Sequence, residues 1–202
     1  MDGGSIPPIS TNHRAAVALM EEHAVMPLLL VISGPPGVGK STVVDAIAAR
    51  RPATRLSIDD VEEAMRACGI ADADTGVAAY EVVRAAAEQN LALGADVIVD
   101  AVNDSEPARE TWVRAARATG AELVVAVLEL GDRAAHRARL EGRVRPFERI
   151  PEPAWTAVEA LIARSAPWGP EVLRLDAALP PDELARSALA QVPPRIAPSG
   201  SE

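Results

Sequence analysis

The sequence predicts an α/β protein in which helices cover both faces of an open, doubly wound parallel sheet of about five strands. Apolar runs without polar alternation, the pattern of strands buried on both faces, recur along the chain and alternate with helical patterns. The connections are long enough for parallel pairing. Because ligands bind at the carboxyl ends of the strands in such sheets, the residues that follow each strand are the first candidates for a site.

The predicted strands are short and apolar. In chain order they cover residues 28–33, 54–58, 96–102, 122–130 and 172–175. The predicted helices cover residues 43–50, about 60–67, about 77–93, about 106–119, 152–164 and 181–191. Gly94 is expected to end the third helix, and Pro107 suits an early position of the fourth, with Asp104 or Ser105 as its cap.

Length and composition fit one domain. The chain has 202 residues, of which 49% are hydrophobic, enough to bury one core. We expect an N-terminal extension over residues 1–26, a main domain over 27–191 and a disordered tail over 192–202. The main domain would carry a small arginine-rich lid at about 132–149.

The net charge and the cysteine content indicate which kinds of partner and which cellular compartment to expect. The net charge of −9 argues against binding to nucleic acids or anionic membranes. No stretch approaches the ~18 apolar residues of a membrane span, and the first residues lack the pattern of a secretion signal. Cys68 is the only cysteine, which excludes an internal disulfide and suits a reducing compartment. We therefore expect a cytoplasmic protein.

Residues 34–41 read Gly-Pro-Pro-Gly-Val-Gly-Lys-Ser and match the phosphate-loop pattern G-x-x-x-x-G-K-[ST] without a mismatch. Glycines let successive N–H groups approach phosphate oxygens, and the helix that follows adds its positive end. The motif predicts a nucleoside-triphosphate site. The residues expected to contact the nucleotide are Gly34, Pro35, Pro36, Gly37, Val38, Gly39, Lys40, Ser41 and Thr42.

Two residues of this loop are expected to do chemistry. Lys40 is the only lysine among 20 lysines and arginines, so this position needs a compact ammonium group rather than a flat guanidinium. It would reach the β- and γ-phosphates, and the Ser41 hydroxyl would coordinate Mg²⁺. Asp100 lies near the end of the third strand, where it would reach the same Mg²⁺ through water.

Three reactions remain open for such a site: hydrolysis by a motor or pump, GTP-controlled switching, and phosphoryl transfer to an acceptor. ATP-hydrolysing motors usually place a Glu directly after the strand-end Asp, and here Ala101 follows Asp100. The Asn-Lys-x-Asp motif of GTPases cannot occur, since Lys40 is the only lysine. Both absences favour transfer.

The pattern resembles the small P-loop kinases that phosphorylate a hydroxyl, the AAA-type group that contains gluconate kinase, chloramphenicol phosphotransferase and the kinase half of polynucleotide kinases. The resemblance spans about residues 28–190. It is carried by GPPGVGKST at 34–42, SIDD at 57–60, VIVDAVN at 97–103 and HRARLEGRVR at 136–145.

The resemblance gives a role to Asp59, which ends the second strand. In these kinases that Asp orients the acceptor hydroxyl and takes its proton. The alternative is that Asp59 or Asp60 caps the next helix, which we expect of Asp60. The resemblance also supports a metal or acceptor role for Asp100, whose alternative is hydrogen bonding to loop amides. Asn103 and Asp104 are expected to line the same cleft.

The lid segment carries six arginines and three acidic residues, which leaves a charge of −12 on the rest of the chain. Related kinases close such a lid over ATP, and its arginines neutralise charge on the transferred phosphoryl group. On one continuous helix, residues 136, 139 and 143 would share a face. We therefore expect Arg139 and Arg143 at the phosphates, with Arg137 in reserve, and His136 at the lid surface. The alternative is a solvated helix face.

The sequence thus predicts an ATP- and Mg²⁺-dependent phosphotransferase acting on a small-molecule hydroxyl, in a sugar acid, a nucleoside or an antibiotic. A polynucleotide end is disfavoured because the acidic surface would repel phosphates. The alternative function is an ATPase or switch module that acts on a protein partner.

Overall fold

Five strands form one parallel sheet within residues 26–192, the part of the chain that the computed structural model describes. They are β1 (Leu28–Ser33), β2 (Thr54–Ser57), β3 (Val97–Ala101), β4 (Glu122–Glu129) and β5 (Leu173–Asp176). The strand order is β2-β3-β1-β4-β5, and every neighbouring pair is parallel. The predicted parallel sheet is confirmed, with β1 at its centre.

Helices follow the strands and cover both faces of the sheet. Within the described residues they are α1 (Lys40–Ala48), α2 (Ile58–Ala67), α3 (Asp72–Ala92), α4 (Glu106–Thr119), α5 (Arg133–Gly142), α6 (Trp155–Arg164) and α7 (Pro181–Leu189). Gly94 follows α3 with a left-handed backbone (φ +77°), as expected of a residue that ends a helix.

The central strand shows why its sequence is apolar throughout. All six residues of β1 are buried, and their side chains alternate between the two faces. Leu28, Leu30 and Ile32 pack with residues of α1 and α7. Leu29 and Val31 pack on the opposite face with residues of α3 and α4. A strand that is covered on both sides cannot carry polar alternation.

Several element boundaries differ from the sequence predictions. β2 ends at Ser57 and α2 begins at Ile58, because the Ser57 side chain accepts a bond from the N–H of Asp60 and caps the helix. α3 begins at Asp72, so Gly76 lies inside a helix rather than in a loop. A glycine there costs about 1 kcal/mol relative to Ala, which burial of one face of α3 offsets.

The predicted N-terminal extension and disordered tail lie outside the described residues, apart from Met26 and Val192. Within residues 26–192, none of the helices combines the length and the apolar character of a membrane span.

Candidate active site

The phosphate loop connects the end of β1 to the start of α1. Gly34, Gly37 and Gly39 have φ values of +148°, +82° and +108°, in the region that favours glycine. A Cβ on Gly34 would lie 2.8 Å from the carbonyl oxygen of Leu128, so close packing also requires a glycine there. By contrast, no atom lies within 4 Å of a Cβ built on Gly39.

The two prolines divide the loop into halves with different roles. Pro35 and Pro36 have no N–H group, so the donors that a phosphate could use begin at Gly37 and continue into the first turn of α1. Lys40 is the first residue of that helix, and its Nζ lies 3.4 Å from the carbonyl oxygen of Pro35. Burial lowers the pKa of Lys40, and the charges of Asp100 and Asp59 partly oppose this effect.

Ser41 and Asp100 come together although 59 residues separate them. The Ser41 hydroxyl donates a 2.5 Å hydrogen bond to Oδ2 of Asp100. Asp100 is held there because β3 pairs with β1 and places it opposite Ile32, one residue before the strand ends. A hydroxyl and a carboxylate are hard oxygen donors that suit Mg²⁺, which keeps several waters and binds phosphate oxygens. Among the described residues, no three or more His, Cys, Asp or Glu side chains form a group that could hold a metal ion.

Asp59 lies in the first turn of α2, one residue after the helix begins. The expectation that Asp60 caps this helix is wrong, because Ser57 caps it. Oδ2 of Asp59 accepts a 2.7 Å hydrogen bond from Arg145 Nη1. The carboxylate that we expect to face the acceptor is therefore paired with an arginine of the lid segment.

One cleft of about 720 Å³ joins these groups at the carboxyl edge of the sheet. Predicted site residues that line it include Gly37, Lys40, Ser41, Asp59, Asp100, Arg139 and Arg143. Residues that line it without having been selected from the sequence include Arg55, Arg145 and Phe147. The charged groups thus converge on one space from four separate parts of the chain.

The lid segment is a helix only in its first half. α5 ends at Gly142, and Arg143 adopts an extended backbone, so the expectation of one helical face through residue 143 is wrong. Arg139 donates a 2.7 Å hydrogen bond to the carbonyl oxygen of Ala177, just after β5. Arg137 points elsewhere and pairs with Glu141 on the exposed side of α5.

Arg145 is one of the six lid arginines, but the sequence analysis did not select it for the site. Besides its bond to Asp59, its Nε lies 3.2 Å from Glu152, and its guanidinium stacks 4.8 Å from the ring centroid of Phe147. Glu152 also accepts a 2.7 Å hydrogen bond from Arg143. Helical periodicity could not select Arg145 because the chain is extended here. Pro146 directly after it was the available signal, since the residue before a proline is disfavoured in a helix.

The extended segment between α5 and α6, residues 143–154, rests on α2. The Glu63 carboxylate accepts the backbone N–H groups of Glu148, Arg149 and Ile150. Arg66, one turn further along α2, donates a 3.2 Å hydrogen bond to the carbonyl oxygen of Arg149. These contacts close one wall of the cleft in the described structure.

Asn103 and Asp104 do not line this cleft. They line a separate cavity of about 290 Å³ behind the phosphate loop, and Asp104 pairs with Arg164 there. Asn103 is buried with a left-handed backbone (φ +56°), and its Oδ1 accepts a 2.7 Å hydrogen bond from Nε1 of Trp112. Its role is to hold the β3–α4 loop, so the expectation that it lines the cleft is wrong.

Kinases of known structure share this fold. A sugar kinase from Janibacter sp. HTCC2649 is 18% identical, with a TM-score of 0.62 over 81% of this chain and 93% of the other. A gluconokinase from Sinorhizobium meliloti 1021 is 21% identical, with a TM-score of 0.57 over 82% of this chain and 91% of the other. An APS kinase from Mycobacterium tuberculosis, solved with AMPPNP and APS, is 17% identical, with a TM-score of 0.59 over 82% and 96% of the two chains.

Comparison with curated proteins gives no match. A family model described as the AAA domain matches residues 29–165, from β1 to the end of α6. This range contains the phosphate loop, Asp59, Asp100 and the lid arginines. The fold confirms the resemblance to small-molecule P-loop kinases, and the family match shows that the chain belongs to the AAA domain family.

Proposed function

We propose that this protein is a kinase that transfers the γ-phosphoryl group of Mg²⁺-bound ATP to a hydroxyl of a small molecule. The observation that carries this proposal is that Lys40 and Asp59, each in the first turn of the helix that follows a strand, line one cleft. A phosphate-binding loop alone is compatible with hydrolysis or switching. A carboxylate beside it, in the position of an acceptor-binding group, favours transfer.

The roles follow from the bonds that change. The acceptor oxygen attacks the γ-phosphorus, the bond from that phosphorus to the β,γ-bridging oxygen breaks, and ADP leaves. Asp59 orients the acceptor hydroxyl and accepts its proton. Lys40, Arg139 and Arg143 neutralise negative charge at the phosphates, which with positioning is most of what phosphoryl transfer requires.

Ser41 and Asp100 are the residues that would hold Mg²⁺, Ser41 directly and Asp100 through water. The metal would supply further charge neutralisation at the β- and γ-oxygens. Their hydrogen bond places the hydroxyl and the carboxylate side by side before any ligand arrives.

The acceptor is most consistent with a small polar molecule. The cleft walls on the acceptor side are polar and include Arg55, Ser57, Asp59 and Asp60. Two proteins of similar fold are named a sugar kinase and a gluconokinase, and this supports a sugar or sugar acid as the first acceptors to test. Exposed Cys68, an unpaired thiol, supports placing the activity in the cytoplasm, where ATP is also available.

The fate of the γ-phosphoryl group tests the proposal. ATP labelled in this group is incubated with Mg²⁺, the protein and either sugars, sugar acids, nucleosides or hydroxyl-bearing antibiotics. A kinase gives a labelled organic phosphate in one of these sets. Release of labelled inorganic phosphate alone, at one rate in every set, would contradict transfer and support the ATPase or switch alternative.

A further inference from the structure

His136 makes a contact that its place on the lid helix did not suggest. We expected it at the surface, but only 2% of its area is exposed. Its Nε2 lies 2.8 Å from the carbonyl oxygen of Pro36 in the phosphate loop. Its ring packs edge-to-face with the ring of Trp155, with the ring centroids 5.1 Å apart and the planes at 79°. The imidazole is therefore held by its hydrogen bond to Pro36 and by its packing against Trp155.

Leu140, one turn further along α5, contacts the next residue of the same loop. A Cβ on Gly37 would lie 2.9 Å from the Cβ of Leu140. Residues four apart on a helix share one face, so His136 and Leu140 together seat α5 on Pro36 and Gly37. No space separates the lid helix from the phosphate loop at this point.

The same helix positions the lid arginines. Arg139 lies between the two contact residues in sequence and lines the cleft, and Arg143 follows directly after α5 ends. Pro36 has a fixed φ and no N–H group, so its carbonyl oxygen is its one backbone group that can form a hydrogen bond. The bond to His136 therefore ties the rigid half of the loop to the helix that leads to the arginines.

We infer that His136 is a positioning residue for phosphoryl transfer, one that sets where the lid arginines stand relative to the phosphates held by the loop. It touches no phosphate itself and acts through Pro36 and through the placement of α5. This inference rests on the proposed kinase function. It adds that occupation of the loop is transmitted to the lid through His136, with Trp155 beside it as a natural fluorescent reporter.

Two substitutions at this position separate the hydrogen bond from the packing. His136→Phe keeps a ring against Trp155 and removes the donor, whereas His136→Gln keeps an N–H donor of similar reach. Arg133→Ala is the matched control, because Arg133 lies on the exposed side of α5 and pairs with Glu159 of α6. Trp155→Phe identifies the source of the fluorescence change.

The experiment measures three quantities with Mg²⁺ and either AMPPNP, an ATP analogue that resists hydrolysis, or ATP. These are the thermal stabilisation by AMPPNP, the change in tryptophan emission on AMPPNP binding, and kcat and KM for ATP turnover. For His136→Phe we expect kcat to fall on the order of tenfold, with KM within about threefold of wild type, as for a small misplacement of charged groups. The emission change should be lost in this variant and in Trp155→Phe, and His136→Gln should recover most of kcat.

Equal loss in the Phe and Gln variants, in step with lower thermal stability, would overturn the inference because it would indicate a merely structural role. Wild-type kcat and emission change in His136→Phe would also overturn it. If AMPPNP stabilises all variants as it does the wild type, but kcat and the emission change do not follow the expected pattern, the inference is wrong and the proposed nucleotide site stands. If AMPPNP does not stabilise the wild-type protein, the proposed nucleotide site is wrong and the inference fails with it.

Discussion

Arg145 donates a 2.7 Å hydrogen bond to Asp59 across 86 residues of sequence, which joins the lid to the carboxylate beside the phosphate loop. The side chain of Arg145 is 15% exposed and that of Asp59 is 43% exposed, so the pair lies at the wall of the cleft. In the proposed kinase, an acceptor hydroxyl that binds Asp59 would share this carboxylate with Arg145 or replace Arg145 there. The proposal therefore couples the position of the lid segment to acceptor binding at one carboxylate.

The first prediction follows from this pair. Asp59→Asn should lower acceptor phosphorylation by about 10²- to 10⁴-fold, the usual contribution of a general base. Arg145→Gln should also lower it, but the double variant should be little worse than Asp59→Asn, since residues that act as a unit are not additive. Steady-state rates of the four proteins test this. Multiplying losses in the double variant would show that the two residues act independently.

The second prediction concerns the packing of α5 against the phosphate loop. Gly37 and Gly69 have the same φ of +82°, but a Cβ on Gly37 would lie 2.9 Å from the Cβ of Leu140, whereas a Cβ on Gly69 would meet nothing within 4 Å. Both Ala variants should incur the left-handed backbone penalty of about 1–3 kcal/mol, and Gly37→Ala should lose additional stability from the clash. Chemical denaturation measures both free energies of unfolding. AMPPNP stabilisation should be lost only in Gly37→Ala, and equal behaviour of the two variants would contradict the packing argument.

The third prediction concerns Mg²⁺. Ser41→Ala and Asp100→Asn should raise the Mg²⁺ concentration needed for AMPPNP stabilisation by about 10- to 100-fold, the range found when groups around a metal site are changed. Asp104→Asn is the control, because Asp104 follows the same strand but lines the other cavity. A titration of thermal stabilisation against Mg²⁺ gives the three midpoints. Unchanged midpoints for Ser41→Ala and Asp100→Asn would remove both residues from the metal site.

The fourth prediction concerns pH. Burial raises the pKa of Glu62 above its ordinary value of 4.5, and the nearby charge of Asp59 adds to this effect. A carboxyl group with a raised pKa in the folded state binds more protons folded than unfolded, so its ionisation destabilises the fold as pH rises above 4.5. Glu62→Gln should therefore raise the melting temperature at neutral pH. The gain should disappear below the ordinary pKa, and a gain that is independent of pH would contradict this explanation.

The fold could be predicted from the sequence because a strand that is buried on both faces of the sheet is apolar at every position. β1 carries six apolar or small residues in a row, and α4 matches its predicted bounds of 106–119. Helix starts were less predictable. Ser57 caps α2, so this helix begins at Ile58 rather than near residue 60. The sequence predicts that α3 begins at about residue 77, but it begins at Asp72 and includes Gly76, because burial of one face of α3 offsets the cost of a glycine.

The candidate site was predictable where a motif is contiguous, as in residues 34–41, and where a carboxylate lies on a strand or within two residues of its end, as for Asp100 and Asp59. It was not predictable where the contact joins distant segments. Neither the bond from Arg145 to Asp59 nor the one between His136 and Pro36 leaves a local pattern. Both contacts depend on how α5 packs against the phosphate loop and on the end of α5 at Gly142.

The most direct test of the central claim is ADP release from Mg²⁺-bound ATP with and without pooled sugars, sugar acids, nucleosides and antibiotics. Asp59→Asn is the test variant, and Asp104→Asn is its matched control, because Asp104 lines the other cavity. The kinase account predicts that one pool stimulates ADP release in the wild type and in Asp104→Asn, and that Asp59→Asn loses this stimulation. Slow ADP release that no pool changes, at equal rates in all three proteins, would contradict it.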